Sequence, residues 1–263
     1  CEMPTSTPFG FNYMCTFYDL ATKHLDVYYL RGKTAAEVKS CFELFLSDNN
    51  KYLRGRAITW LTDNGSEFHE RNLDAFLREL LIRHRTIVPN NPQTNPAERV
   101  NGFLLRPLRI LLAASNVTES FWPWAVNQLV FIHNSLVTSS ATAVQPRPPH
   151  TLRALATPQR ALARENPHAA AALPTPHLYR HPVLYCAVAC YLRGDAQERS
   201  KLAPRLEHGI HLGIDQRRGG YFVYFYSLNR LTTVRFDDVI FYENEFPDVK
   251  RITGTYVSYT TRY

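Results

Sequence analysis

Leu61-Thr62-Asp63-Asn64-Gly65-Ser66-Glu67-Phe68 and Asn91-Pro92-Gln93-Thr94-Asn95-Pro96-Ala97-Glu98-Arg99-Val100-Asn101 are the two stretches around which this 263-residue chain is organised. The apolar run Ala57-Ile58-Thr59-Trp60-Leu61 reads as a buried strand, so Asp63 stands at a strand end. Pro96 favours the first turn of a helix, which puts Glu98 in that turn. The 34 residues between the two acids let them meet at one metal ion. Two carboxylates about 4 Å apart repel by roughly 4 kcal/mol at an effective dielectric near 20, so such a pair needs a shared proton or a cation. Hard divalent cations take oxygen ligands. Paired ions activate an attacking water or hydroxyl and stabilise the leaving oxygen of a phosphodiester. Spacing alone leaves a plainer reading open. In it Asp63 is a turn residue before Asn64-Gly65, and Glu98 is an acid placed against the helix dipole.

Upstream of these stretches, Asn12 to Asp19 and Leu25 to Leu30 are aromatic and β-prone, and Ala21-Thr22-Lys23 between them predicts a hairpin. Thr34-Ala35-Ala36-Glu37 is a capping box, and Val38, Cys41, Phe42, Phe45 and Leu46 follow as an amphipathic stripe. Leu73, Phe76, Leu77 and Leu80 give a second helix, and Arg85 to Val88 a short strand. The helix opened by Pro96 runs toward Ala114, and Pro107 should kink or break it. Thr118 to Leu136 is a further helix. On it Phe121, Trp122, Ala125, Leu129, Ile132 and His133 line one face, and the Phe-Trp pair reads as core.

The order strand, strand, helix, strand, helix, strand, helix, helix suits an α/β mixed sheet flanked by helices over residues 1–137. Residues 138–182 hold eight of the seventeen prolines and read as a Pro/Ala-rich linker. Short β-prone runs then recur at 183–192, 210–213, 221–226, 232–236 and 239–242, with Gly219-Gly220 and Leu228-Asn229-Arg230 as turns. They predict a small β-barrel domain over 183–247, followed by a tail at 248–263.

Hydrophobic content of 45% and charged content of 20% mark a globular chain. The formal net charge of +7 favours a polyanionic partner, since each cation placed on a phosphate releases a counterion. The five cysteines are scattered without a Cys-x-x-Cys pair, which suggests free thiols rather than disulfides or a Cys-type zinc site. No apolar run approaches the roughly 20 residues of a membrane span, and no signal peptide pattern is present, so no membrane partner and a nuclear or cytoplasmic location are expected. His69 and His84 read as surface or core histidines rather than ligands.

The two opening stretches together resemble the catalytic core of retroelement integrases, the Copia-type (Pseudoviridae) retrotransposon integrases in particular. Phe121-Trp122 with Ala125 and Asn134-Ser135 is similar to that family's Phe-Trp…Ala…Asn helix. Lys201-Leu202…Arg205…Gly209-Ile210-His211-Leu212-Gly213 and Asp238-Val239-Ile240-Phe241-Tyr242-Glu243 resemble the entry and the close of its post-core β domain. The resemblance covers about residues 1–247. It implies a piece of a Gag-Pol polyprotein with an RNase H-like core and an Asp-Asp-Glu triad holding Mg²⁺ or Mn²⁺. The implied activity trims the ends of element DNA and joins them to target DNA by attack of a 3′-hydroxyl. DNA and further copies of the chain are the implied partners.

On that resemblance Asp63 and Glu98 match the second and third triad positions, as catalytic and metal-binding residues. Cys1-Glu2-Met3-Pro4 resembles the turn that follows the first Asp, which would place that Asp a few residues before Cys1. Asp19 is the nearest other acid, and it aligns with a second-strand acid that is not a ligand. The pattern departs in three further places. Pro96-Ala97 is one residue short before Glu98, Gly102 replaces an Arg, and Pro107 lies within the catalytic helix. A His/Cys zinc module before the core is not seen. Arg99, Arg106 and Arg109 follow Glu98 and are candidate contacts to DNA phosphates, or else a solvated basic face. The expected function is therefore an integrase core, with activity in doubt because the first Asp is missing. A non-catalytic DNA-binding or assembly protein derived from such an element is the alternative, and a host RNase H-like nuclease a weaker one.

Overall fold

The computed structural model describes residues 1–6, 10–53, 57–62, 71–86, 96–136, 184–191, 206–215 and 218–247. β1 (Tyr13–Tyr18) and β2 (Leu25–Leu30) form the antiparallel hairpin the aromatic runs predict, with Cys15 opposite Tyr28. Its turn is tied by Asp19, whose carboxylate accepts from the Ala21 N–H at 2.9 Å and the Thr22 hydroxyl at 2.7 Å. That leaves Lys23 in the left-handed region at φ 63°.

α1 (Ala35–Leu53) starts at the capping box. The Glu37 N–H donates to Thr34 Oγ1 at 3.3 Å, and Glu37 in return accepts from the Thr34 hydroxyl at 2.9 Å and the Gly32 N–H at 2.9 Å. Val38, Cys41, Phe42 and Phe45 face inward, and Phe42 and Phe45 meet Phe17 of β1 and Trp60. β3 (Thr59–Thr62) pairs parallel with β4 (Arg83–Thr86), and α2 (Arg71–Glu79) forms the crossover. β4 begins at Arg83, two residues before the expected start at Arg85, and residues 87–95 are outside the described residues. Among the described residues the two strand pairs are separate ladders.

α3 (Pro96–Ala114) continues as one helix through Pro107, so of the expected kink or break the break does not occur. The carbonyl that loses its donor belongs to Phe103, which is 59% exposed, so water is at hand as a substitute partner. A 3-10 turn at Glu119–Phe121 leads into α4 (Trp122–Ser135), whose Pro123 sits in the first turn. Phe121, Trp122 and Ala125 are core residues, as their spacing predicts.

The remaining strands are β5 (Ala187–Tyr191), β6 (Leu206–Asp215), β7 (Gly220–Phe225), β8 (Arg230–Arg235) and β9 (Val239–Tyr242). They form one antiparallel sheet in the order β8-β7-β6-β5-β9. β6 and β7 shift register between His211 and Gly213, a bulge that Gly213 accommodates at φ +117°. In a flat sheet β7 and β9 would lie three strand spacings apart, about 14 Å. The rings of Tyr221 and Phe241 are nevertheless 5.0 Å apart, so the sheet is rolled into the expected small barrel. Its interior holds Cys186, Val188, Cys190, Val223, Phe225 and Val234.

The outer face of that barrel is not left to solvent. Ile210, Leu212, Tyr224 and Leu231 join Leu104, Leu108, Phe121, Trp122 and Trp124 in one apolar cluster. The fully buried Tyr185 donates its hydroxyl proton to the Phe121 carbonyl at 2.7 Å, and the Ser115 hydroxyl donates to the Leu184 carbonyl at 3.3 Å. The residue ranges 138–182 and 248–263 assigned to linker and tail lie outside the described residues.

Candidate functional site

β3 ends at Thr62, the residue before Asp63, and α3 begins at Pro96, two residues before Glu98. Asp63 itself lies outside the described residues, so the separation of the two acids is not described. Glu98 is exposed in the first turn of α3. Val100, Leu104, Leu108 and Leu112 recur every four residues and hold the other side of the helix in the core. Asn101 adds a polar anchor: its side-chain carbonyl accepts from the Thr16 hydroxyl of β1 at 2.8 Å. The acid end of α3 is thus fixed against the hairpin by Val100 and Asn101 of the Glu-Arg-Val-Asn motif.

The three candidate arginines are all exposed on α3 but do not share one line. At about 100° per residue, Arg99, Phe103, Arg106 and Ile110 make one stripe, while Glu98 and Arg109 occupy the adjoining sector. Arg99 also acts on Tyr18 of β1. Burial raises the Tyr18 phenol above its ordinary range, the positive charge of Arg99 opposes this, and Asp19 adds to it. Asp19 is committed to the hairpin turn, which fits the reading that it is not a ligand.

Motif residues on α4 are structural. Asn134 receives the Leu25 N–H at 3.0 Å and donates to the Leu25 carbonyl at 2.8 Å, a two-point clamp on β2. Trp122 Nε1 donates to the Pro4 carbonyl at 2.7 Å, and the Tyr29 hydroxyl bonds the Pro123 carbonyl at 3.0 Å and Asn127 Oδ1.

A further polar chain was not legible in the sequence. His84 of β4 bonds Thr62 Oγ1 through Nε2 at 2.8 Å and Asp74 Oδ1 of α2 through Nδ1 at 3.0 Å. Histidine in an Arg-His-Arg-Thr strand gives no sign of a partner ten residues upstream on a helix.

The buried thiols of Cys41, Cys186 and Cys190 are held in the protonated, weakly nucleophilic form. Burial pushes Cys186 and Cys190 up to about 12, with Glu243 and Asp238 respectively adding to the effect. Cys41 is raised by its contact with the Cys15 thiol and by burial. Among the described residues no group of three His, Cys, Asp or Glu side chains is placed to hold a metal ion, and no helix is long and apolar enough to cross a membrane. The pair Asp63 and Glu98 offers only hard oxygen donors, which fits Mg²⁺ or Mn²⁺ better than a soft ion.

Residues 188–254 match the family described as the retroviral polymerase SH3-like domain. The chain is 32% identical over 126 residues to the retrovirus-related Pol polyprotein from transposon TNT 1-94 of Nicotiana tabacum, covering 48% of this chain and 9% of that one. It is 30% identical over 130 residues to the Pol polyprotein from transposon RE2 of Arabidopsis thaliana, covering 49% and 9%. The matched stretch therefore spans about a tenth of the length of these relatives. Among solved structures it is similar to a simian T-cell lymphotropic virus intasome in complex with the PP2A regulatory subunit B56 gamma. That match has 15% identity, 90% of this chain and 74% of the other covered, and a TM-score of 0.46. It is also similar to the HTLV-2 integrase catalytic core domain in complex with magnesium, with 21% identity, 53% and 83% covered, and a TM-score of 0.40. Residues 188–254 thus match a retroviral polymerase SH3-like domain, behind an α/β unit that carries both motifs, and about half of the chain is similar to retrotransposon Pol polyproteins.

Proposed function

We propose that the chain serves DNA integration, as the core of a metal-dependent polynucleotidyl transferase that processes element ends and joins them to target DNA. The observation that carries this reading is the pair of motifs, Asp63 directly after β3 and Glu98 in the first turn of α3. Asp63 and Glu98 would hold Mg²⁺ or Mn²⁺. The bound ion supplies Lewis-acid activation of the attacking oxygen and stabilisation of the leaving one. The chain's own residues supply position and charge. Asn101 and the leucine stripe hold the helix that bears Glu98. Arg99 and Arg106, seven residues or about 10 Å apart along one stripe, face solvent where a phosphate backbone can lie. Arg109 adds charge on the next sector. Integration joins two ends, so a homo-oligomer acting on DNA in the nucleus or cytoplasm, without membrane attachment, completes the proposal. The proposed units are a core at 1–137, a linker at 138–182, the β domain at 183–247 and a tail at 248–263.

The test is strand transfer of a labelled duplex in Mn²⁺, by the chain and by a longer piece of its parent polyprotein, beside DNA binding by fluorescence anisotropy. Asp63→Asn and Glu98→Gln should each abolish joining and leave salt-sensitive binding in place. Joining that survives both substitutions overturns the assignment. A second reading, a non-catalytic DNA-binding or assembly protein, draws on the exposed arginines, which do not depend on the acids. It expects binding without joining in every form, with Arg99 and Arg106 together setting the salt dependence.

A further inference from the structure

We infer that Asp74, His84 and Thr62 form a positioning relay that fixes the end of β3 from which Asp63 departs; this rests on the proposed metal role of Asp63. Three elements meet in the relay: Thr62 closes β3, His84 lies on β4, and Asp74 lies on α2. The distances are 2.8 Å from Thr62 Oγ1 to His84 Nε2 and 3.0 Å from His84 Nδ1 to Asp74 Oδ1.

The direction of the chain follows from what each group can do. An ionised carboxylate only accepts, so His84 Nδ1 carries the proton. In the uncharged ring Nε2 is then bare and accepts the Thr62 hydroxyl proton. This is the less common imidazole tautomer in water, held here by Asp74. The His84 side chain is 14% exposed and that of Asp74 42%, so water reaches the acid end while the histidine end is shielded.

The relay matters because, among the described residues, it is a polar tie at the last residue of β3, beyond the apolar packing of Trp60. None of the eight residues of β3 and β4 is buried, and the pair is four residues long. The backbone ladder fixes β3 along one edge, Trp60 packs its middle into the cluster of Phe42, Leu73 and Leu77, and the Thr62 hydroxyl ties its last residue through His84 to Asp74 of α2. A carboxylate leaving such a strand is held in register to the extent that Thr62 is held. His84 and Asp74 are positioning residues, since they act through Thr62 and touch no reacting atom.

The experiment has two arms on the whole chain. Nitrogen-15 shifts of labelled histidine report the tautomer, and calorimetry with Mn²⁺ alone reports the affinity of the Asp63 site. His84 should show a protonated Nδ1 and a bare Nε2, and Asp74→Ala should move it toward the Nε2–H form. Thr62→Val and Asp74→Ala should each weaken Mn²⁺ binding about tenfold, the usual scale for groups that orient metal ligands. Thr62→Ser, which keeps the hydroxyl, should restore it. Wild-type His84 in the Nε2–H form overturns the relay, even where Asp74→Ala fails to fold. So does unchanged Mn²⁺ affinity in Thr62→Val while Asp63→Asn abolishes it. If Asp63→Asn itself leaves Mn²⁺ affinity intact, the metal assignment of Asp63 falls, and the positioning role falls with it by a different signature.

Discussion

β3 and β4 pair over four residues each, with every side chain exposed or half-buried, while β6 runs ten residues and buries six of them. The first pair joins strands that are parallel and separated by a helix. The second region is a meander of antiparallel neighbours closed into a barrel, with one apolar cluster inside it and another outside. The difference separates anchoring from presentation. The barrel holds itself by cross-strand register and burial, whereas the β3–β4 pair rests on the packing of Trp60 and on a few polar ties to its neighbours. Local opening free energy should follow the same division, being lowest where apolar burial is least.

The largest test of this contrast is aimed at the outer cluster. Trp122 is 1% exposed between the helices and the barrel. Trp122→Ala should cost about 3–5 kcal/mol in denaturant unfolding, in a single transition seen alike by far-ultraviolet and near-ultraviolet circular dichroism. Two separated transitions would mean that barrel and helices are independent, which would break the comparison as drawn.

A smaller effect of opposite sign should appear at the end of α2. Ile82 N–H bonds the Leu77 carbonyl and Leu81 N–H the Arg78 carbonyl, a Schellman motif with Leu81 at the left-handed position, φ 56° and 89% exposed. α3 ends the same way with Asn116 at φ 52°, a residue that tolerates the conformation. Leu81→Gly should therefore raise stability by up to about 1 kcal/mol. Amide exchange in Arg83–Thr86 should slow more than in β6, and equal slowing in both would show that the site pair is not the separately weak unit.

The smallest effect is on the acid side of pH. Desolvation raises the Glu37 carboxyl, but the Thr34 hydroxyl and the N–H groups of Gly32 and Thr34 outweigh it and hold the group below its usual range. A depressed folded value stabilises above the ordinary carboxylate pKa and is lost as pH falls through the folded value. Helix signal from α1 should thus decline on acidification in the wild type. In Glu37→Gln the decline should be shallower, within about 1 kcal/mol at neutral pH.

Where neighbours along the chain decide the structure, the sequence is a good guide. The hairpin, the capping box, the Phe-Trp helix and the turns at Gly219 and Asn229 follow from local chemistry, and the last two occupy the left-handed region at φ 65° and 47°. What escapes is long-range. β6 begins at Leu206 rather than at the apolar Ile210, because Glu207 and His208 pair with Cys190 and Ala189 of β5. Pro107 stays inside a helix, where the residue whose carbonyl loses its donor, Phe103, is itself exposed. The tie of His84 to both Thr62 and Asp74 is visible only once β4 and α2 are placed against β3. The motifs named the acids, but not the side chains that hold their elements still.

The hydroxyl of Tyr185 on the carbonyl of Phe121 has a consequence for synthesis. A ribosome finishes α4 at Ser135 about 50 residues before it reaches Tyr185, a delay of several seconds at roughly 5–20 residues per second. During that interval the apolar side of the Phe121–Val126 stretch has no barrel to close over it. A nascent chain released there exposes its stickiest surface, so truncations ending before residue 184 should collect in aggregates, and the barrel acts as a lid supplied late to the helices that precede it.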